Sequence, residues 1–101
     1  MKVRFIEMDK DYSVISSWWE KHQWPVIPKD ALSTTGFIVE NDSQQFLAGW
    51  VYHTNSNFAL LEFIVANPDI KGEERDRAFD SFFDVVFKYI ELSNFKNIFM
   101  S

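Results

Sequence analysis

Apolar and polar positions along the chain change their period several times, and each change predicts an element. Residues 3 to 8 alternate, with Val3, Phe5 and Glu7 on one side and Arg4, Ile6 and Met8 on the other, which predicts a short strand. From residue 11 to residue 22 the spacing turns helical. Val14, Ile15, Trp18 and Trp19 make the apolar face, and Ser13, Ser16, Ser17, Glu20 and Lys21 make the polar one. Asp9 or Asp11 offers the N-cap, because a short side-chain oxygen accepts a first-turn N–H that has no helical partner. Neighbours on a helix point in different directions, so one of Trp18 and Trp19 is expected in the core and the other toward solvent or a partner. Pro25 and Pro28 then stop the helix and extend the chain, with a short helical turn at residues 29 to 32.

The second half reads more strongly. Residues 36–40 form a strand, Asn41-Asp42-Ser43-Gln44 a hairpin turn, and residues 45–53 a longer strand with so little polar interruption that both its faces are expected to be buried. Thr54-Asn55-Ser56-Asn57 makes the next turn, and residues 58–65 return as a strand that Asn67-Pro68 ends. The longest element is a helix over residues 73–93, with Phe79, Phe82, Phe83, Val86 and Ile90 as its apolar stripe. Asn94 suits a left-handed cap, Phe95 is placed to pack back over the helix end, and residues 97–100 give a last strand. The order is strand, helix, three strands as an antiparallel meander, helix, strand. A helix between two strands of one sheet favours parallel pairing, so the expectation is an α/β (α+β) fold with a mixed sheet flanked by helices.

With 101 residues there is room for one hydrophobic core, and residues 1–101 are read as a single domain. A content of 47% hydrophobic and 18% aromatic residues fills that core without staples, and the eleven phenylalanines are assigned to it. No cysteine is present, which excludes disulfides, thiolate metal sites and cysteine nucleophiles and makes the cytoplasm the expected compartment. Charges interrupt every apolar run before it reaches the length of a membrane span, so no membrane is expected. The net charge of -5, with Lys and Arg scattered among carboxylates, argues against nucleic acid and for a small ligand or a protein partner. His22 and His53 show no ligand spacing with the carboxylates, so no metal is expected, and His22 is read as a cation at a helix end. No nucleophile elbow, phosphate loop or dinucleotide fingerprint occurs. Glu62 stands out, since it interrupts Phe58-Ala59-Leu60-Leu61-Glu62-Phe63-Ile64-Val65. A carboxylate among apolar neighbours favours its neutral form and makes a better base near neutral pH.

The element order, the pair Val65 and Pro68, the step Lys71-Gly72 and the helix beyond it resemble the N-terminal two-thirds of the GNAT N-acetyltransferase fold. Gly49 is similar to the small residue that the family places in its third strand. Trp18-Trp19, His22, Trp24-Pro25 and Thr54-Asn55-Ser56 are similar to small phage-type GNAT-like proteins. The resemblance implies acetyl-CoA as cofactor, with Val65 and Ala66 presenting backbone groups to its pantetheine arm and Lys71 and Gly72 at its diphosphate. It also implies an amine acceptor, with Glu62 as general base and Trp24, His53 and Asn55 lining the acceptor cleft. Two glycines of the family's loop are here Glu74 and Asp76, whose charge opposes a diphosphate, and Arg75 and Arg77 are the residues that would offset them. The family's later strand, helix and strand have no counterpart before Ser101. The fold is therefore expected to end at its fifth strand, as a fragment, as a domain completed in a homo-oligomer or by another chain, or as a noncatalytic interaction module.

Overall fold

The computed structural model describes residues 1–100. Its elements are β1 (Lys2–Phe5), α1 (Met8–Lys21), a single 3-10 turn (Lys29–Ala31), β2 (Thr35–Glu40), β3 (Gln45–His53), β4 (Phe58–Ala66), α2 (Gly72–Leu92) and β5 (Asn97–Met100). The strands form one mixed sheet in the order β1-β2-β3-β4-β5. β4 and β5, joined through α2, are parallel as expected of a strand-helix-strand unit. β1 and β2 are also joined through a helix, yet they pair antiparallel. The loop after α1 explains this, because it runs back along the helix before β2 begins. The Tyr12 hydroxyl donates to the Ile27 carbonyl at 2.7 Å, and the Lys29 ammonium lies 5.2 Å from the centre of the Tyr12 ring.

The helices cover opposite faces of the sheet. On one face Ala78, Phe82, Val86 and Ile90 of α2 pack with Phe37, Val39, Leu47, Val51 and Leu61; on the other Ile15, Trp18 and Trp19 of α1 pack with Ile38, Ala48, Trp50 and Val65. Residues 46 to 51 of β3 are accordingly buried throughout, as the uninterrupted apolar run predicts. Phe46 and Leu47 both join the α2-side core because Phe46 is an extra residue in the β2–β3 ladder, where Val39 faces Leu47 and Glu40 faces Gln45.

Four expectations at the start of the chain need correction. β1 ends at Phe5, not at residue 8, and α1 starts at Met8, not at residue 11. The N-cap position is Glu7, neither Asp9 nor Asp11. Asp11 instead lies one turn into α1, fully buried, where its Oδ2 accepts from the Glu7 N–H at 2.8 Å. Arg4 grips the same carboxylate with two hydrogen bonds and reaches Glu40 Oε1 at 3.0 Å, so a charged network ties β1, α1 and β2 together. A buried carboxylate needs such partners, and this need outweighs the preference of aspartate for a cap. Finally, Trp18 and Trp19 are both buried, at 3% and 2% exposure. Their cluster is bounded by the sheet and also joined by Ile27 and Leu32 of the returning loop, so it is broad enough to take both rings.

Both helix ends close in the same way. After α2, Asn94 takes φ 67° and donates to Glu91, while the Phe95 N–H reaches back to Ile90; Phe95 packs on the α2-side core, as the sequence predicts. After α1, Gln23 takes φ 61°, donates to Glu20, and passes the chain to Trp24, whose N–H returns to Trp19. Among the described residues no helix is long and apolar enough to cross a membrane.

Candidate functional site

The candidate site is built around an irregularity in β4. Ala48 of β3 faces Val65 and Trp50 faces Glu62, so Gly49 alone stands opposite both Phe63 and Ile64. This is a β-bulge, and Phe63 enters it with φ 59°, a left-handed backbone that a bulky side chain adopts at a cost of about 1–3 kcal/mol. Gly49 makes the bulge possible. A Cβ there would lie 2.7 Å from Cζ of Phe82 and 3.1 Å from Cγ1 of Ile64, so the α2-side core closes directly over its backbone. The extra residue also switches the faces of β4. Leu61 belongs to the α2 side and Val65 to the α1 side, although plain alternation would put them together.

Glu62 is half-buried on the α1 side of the sheet, immediately before the bulge. It lies near the Tyr52 phenol: burial pushes the Tyr52 hydroxyl's pKa up, the Ser33 backbone pulls it down, and the negative charge of Glu62 adds to the rise. Tyr52 therefore holds its proton and donates it to the Ala31 carbonyl at 2.8 Å. Its ring meets Phe63 edge to face, with centres 6.1 Å apart. In the sequence Tyr52 and Phe63 look like ordinary strand residues. The signal in the sequence is Gly49, a glycine inside a long apolar strand.

Beyond Glu62 the outer edge of β4 changes character. β5 pairs with β4 from Phe58↔Asn97 to Leu61↔Met100, and among the described residues no strand pairs with that edge from Glu62 to Ala66. The Asn67 N–H turns inward to the Phe46 carbonyl at 2.8 Å, so by alternation Ala66 presents its backbone groups outward while Val65, paired with Ala48, presents its own to β3. The Ala66 carbonyl is already engaged, since Nε2 of His22 donates to it at 2.9 Å. His22 is the C-cap residue of α1, and its ring stacks on Trp24 with centres 4.4 Å apart. Its side chain thus bridges α1 to β4, a role that a reading of His22 as a helix-end cation leaves out.

The β4 edge leads through Asn67, whose side chain pins the turn by bonding the Gln45 carbonyl at 2.8 Å, to the buried Ile70 and the start of α2. Lys71 is the N-cap residue and Gly72 opens the helix with φ 59° and empty space where a Cβ would be. The backbone there is open to close approach, which is what glycine supplies. The charges are mixed. Glu73 and Glu74 occupy the first turn, and Lys71 and Arg75 are the cations nearest the helix start. Arg77 lies further along and lines a depression with Glu74, Asp80, Ser81, Met1 and Asn41.

The remaining expected site residues are dispersed. Trp24 is half exposed and shares a cavity wall with Phe63 on the α1 side. His53 is not beside Glu62: it belongs to the opposite face, with Nε2 2.8 Å from the Tyr89 hydroxyl of α2 and its ring against Phe95. Asn55 sits exposed in the β3–β4 turn. Among the described residues no group of three or more His, Asp or Glu side chains is arranged to hold a metal ion.

No protein-family model matches the chain, and no curated protein matches it. Among solved structures it is similar to one described as the crystal structure of a probable acetyltransferase, with a TM-score of 0.76 and 10% sequence identity over 100% of this chain and 78% of that chain. At that identity the likeness concerns the fold. The mixed five-stranded sheet with its two helices is an α+β fold that this solved structure shares.

Proposed function

We propose that this chain is a GNAT-like N-acyltransferase domain that transfers an acetyl group from acetyl-CoA to an amine. The observation that carries the reading is a continuous path: a half-buried carboxylate at a bulge, a β4 edge that no described strand covers from Glu62 to Ala66, and a helix start opened by a left-handed glycine. In this reading acetyl-CoA supplies the activated thioester. The outward N–H of Ala66 bonds the pantetheine arm as a neighbouring strand would, while Val65 supports it from within. Helix N–H groups from Gly72 onward receive the diphosphate, and Lys71 and Arg75 offset the carboxylates around them. Glu62 takes the proton of the acceptor ammonium. The amine nitrogen would then attack the thioester carbonyl, the C–N bond forming as the C–S bond breaks. The second proton shed by the nitrogen would pass through water to the departing thiolate, and Glu62 would return its proton to solvent.

The fit to acetyl-CoA is good in the backbone and mixed in the side chains, because Glu73 and Glu74 occupy the first turn of α2 and Asp76 follows in the second. Calorimetry with acetyl-CoA tests the reading directly. Saturable binding at micromolar to millimolar cofactor, with product formed from a panel of amines, is the expected result. No heat at millimolar acetyl-CoA overturns it.

A second reading is favoured by another feature. Phe5 is 58% exposed and Leu92 74% exposed, and with Val3, Phe37, Val85 and Tyr89 they wall an open, largely apolar groove of about 530 Å³ between β1 and α2. Together with the engaged Ala66 carbonyl and the acidic helix start, this supports a noncatalytic interaction module that keeps the fold, pairing with a protein partner or a second copy.

A further inference from the structure

On the α1 side of the bulge lies a cavity of about 280 Å³ walled by Trp19, Trp24, Pro25, Ile27, Phe63 and Ile64. Two of its walls are held out of the core. Trp24 is 49% exposed and Phe63 38% exposed, although removing aromatic surface from water is favourable. Each is set by a left-handed backbone: Phe63 by its own φ of 59°, Trp24 by the φ of 61° at the preceding Gln23. Neither position has the glycine or asparagine that such a backbone favours, so local strain is maintained at two places that meet at one cavity. The rings are also braced from behind. His22 stacks on Trp24 at an interplanar angle of 18°, and Tyr52 stands edge-on to Phe63.

We infer that this cavity receives a flat apolar group of about one ring, the non-reacting end of the amine acceptor. The statement that the occupant is an acceptor rests on the acyl-transfer reading; the statement that it is a flat ring rests on the walls alone. A benzene-sized guest needs about 150 Å³, so this half-open cavity of mixed polar and apolar lining has room for a ring with a short linker. Trp24 and Phe63 offer aromatic surface for stacking or edge contact, and Trp19 gives a buried floor at 2% exposure. The side chains at the walls carry no charge, so a bare ammonium would lose water there without gaining an ionic partner. An anion finds no cation among the walls. Tyr52 meets the Phe63 ring and lies near the Glu62 carboxylate, so a ring seated against Phe63 leaves a short amine-bearing linker on the side of the group proposed to take its proton.

Indole N–H resonances and tryptophan emission of the intact chain, titrated with 2-phenylethylamine, 2-phenylethanol and ethanolamine without acetyl-CoA, test the inference. Both ring compounds are expected to bind saturably and ethanolamine is not. Trp24→Ala and Phe63→Gly are each expected to weaken 2-phenylethylamine at least tenfold. Phe63→Gly keeps the test sound because glycine accepts φ 59° without strain, so the variant loses the ring while keeping the bulge. Absence of saturable binding by either ring compound, or affinity unchanged in both variants, overturns the inference. So does a result in which the two substitutions alter only the association state, which would make the cavity a contact between copies. Its failure is distinct from that of the proposed reaction: ring binding without acetyl-CoA binding removes acyl transfer and leaves the cavity standing, and acetyl-CoA binding without ring binding does the reverse.

Discussion

Arg4 and Asp11 form a two-pronged pair, with Nη1 2.8 Å from Oδ2 and Nη2 2.9 Å from Oδ1, and the carboxylate has no exposed surface. Burial alone would push the Asp11 carboxyl up, but the Arg4 hydrogen bonds and the Glu7 N–H outweigh it and hold it below the ordinary carboxylate range. Arg4 also holds Glu40 below that range, while the two acids raise the guanidinium further above its already high value. Removing the cation strands a buried charge. Arg4→Met is therefore expected to destabilise by about 3–5 kcal/mol in urea unfolding, and Arg4→Met with Asp11→Leu should recover much of that loss. A single variant as stable as the parent would show that the pair does not hold β1 to α1.

The same pair sets an acid limit. Groups whose folded pKa is depressed contribute stability that is complete above their unfolded value and is lost as pH falls through the folded one. For Asp11 and Glu40 the loss should begin at about pH 4 and deepen below it, with Arg4 charged throughout. In Arg4→Met the acid slope of stability should flatten, because the main cause of both depressions is gone. Parallel slopes for parent and variant between pH 5 and pH 2 would refute this account.

At the bulge the relevant contact is between Gly49 and Phe82, whose ring is fully buried. Gly49→Ala places a methyl 2.7 Å from Cζ of that rigid ring, and overpacking of this kind costs about 1–3 kcal/mol. Phe82→Ala removes the ring itself and is expected to cost about 3–5 kcal/mol through lost transfer energy and the cavity left behind. Because each residue acts through the other, Gly49→Ala should cost much less in the Phe82→Ala background. Additive losses would mean that the two do not meet.

What was legible in the sequence follows from how local each cause is. The α2 stripe, the Asn94 cap with Phe95 folded over it and the Asn41 turn are written in spacing and in backbone preference, and each appears where its residues predict it. The misplaced start of α1 has a distant cause, since Asp11 serves an arginine on another strand. Both bulges were hidden because alternation carries no mark of one extra residue; Phe46 and Phe63 read as ordinary members of apolar runs. Within the candidate site, Glu62 lies beside the bulge of β4, Trp24 lines the cavity next to Phe63, and Lys71-Gly72 opens α2. The resemblance puts His53 in the cleft with Glu62, but the pleat sends it to the other face, against Tyr89.

Exposed apolar residues at the β1–α2 groove predict self-association if the interaction reading is right. Light scattering should then show a concentration-dependent increase above the monomer mass of 12.0 kDa, and Leu92→Gln should shift the equilibrium toward monomer. A monomer at all concentrations in the parent would leave this groove without a second copy as its partner.

The catalytic reading separates chemistry from cofactor binding at three residues. Glu62→Gln preserves shape and hydrogen-bonding capacity while removing the proton acceptor, so turnover should fall by roughly 100-fold or more with acetyl-CoA affinity nearly unchanged. Arg75→Ala should do the opposite, weakening acetyl-CoA several-fold, since Arg75 lies by the first turn of α2, among the cations nearest the helix start. Arg77→Ala should weaken it less, because Arg77 lines a depression shared with Glu74, Asp80 and Asn41 instead of the helix mouth. The double arginine variant should add little beyond Arg75→Ala alone. Calorimetry and single-turnover rates on the four variants check the pattern, and equal losses of affinity at Arg75 and Arg77 would move the diphosphate away from the Gly72 end toward the side of the helix.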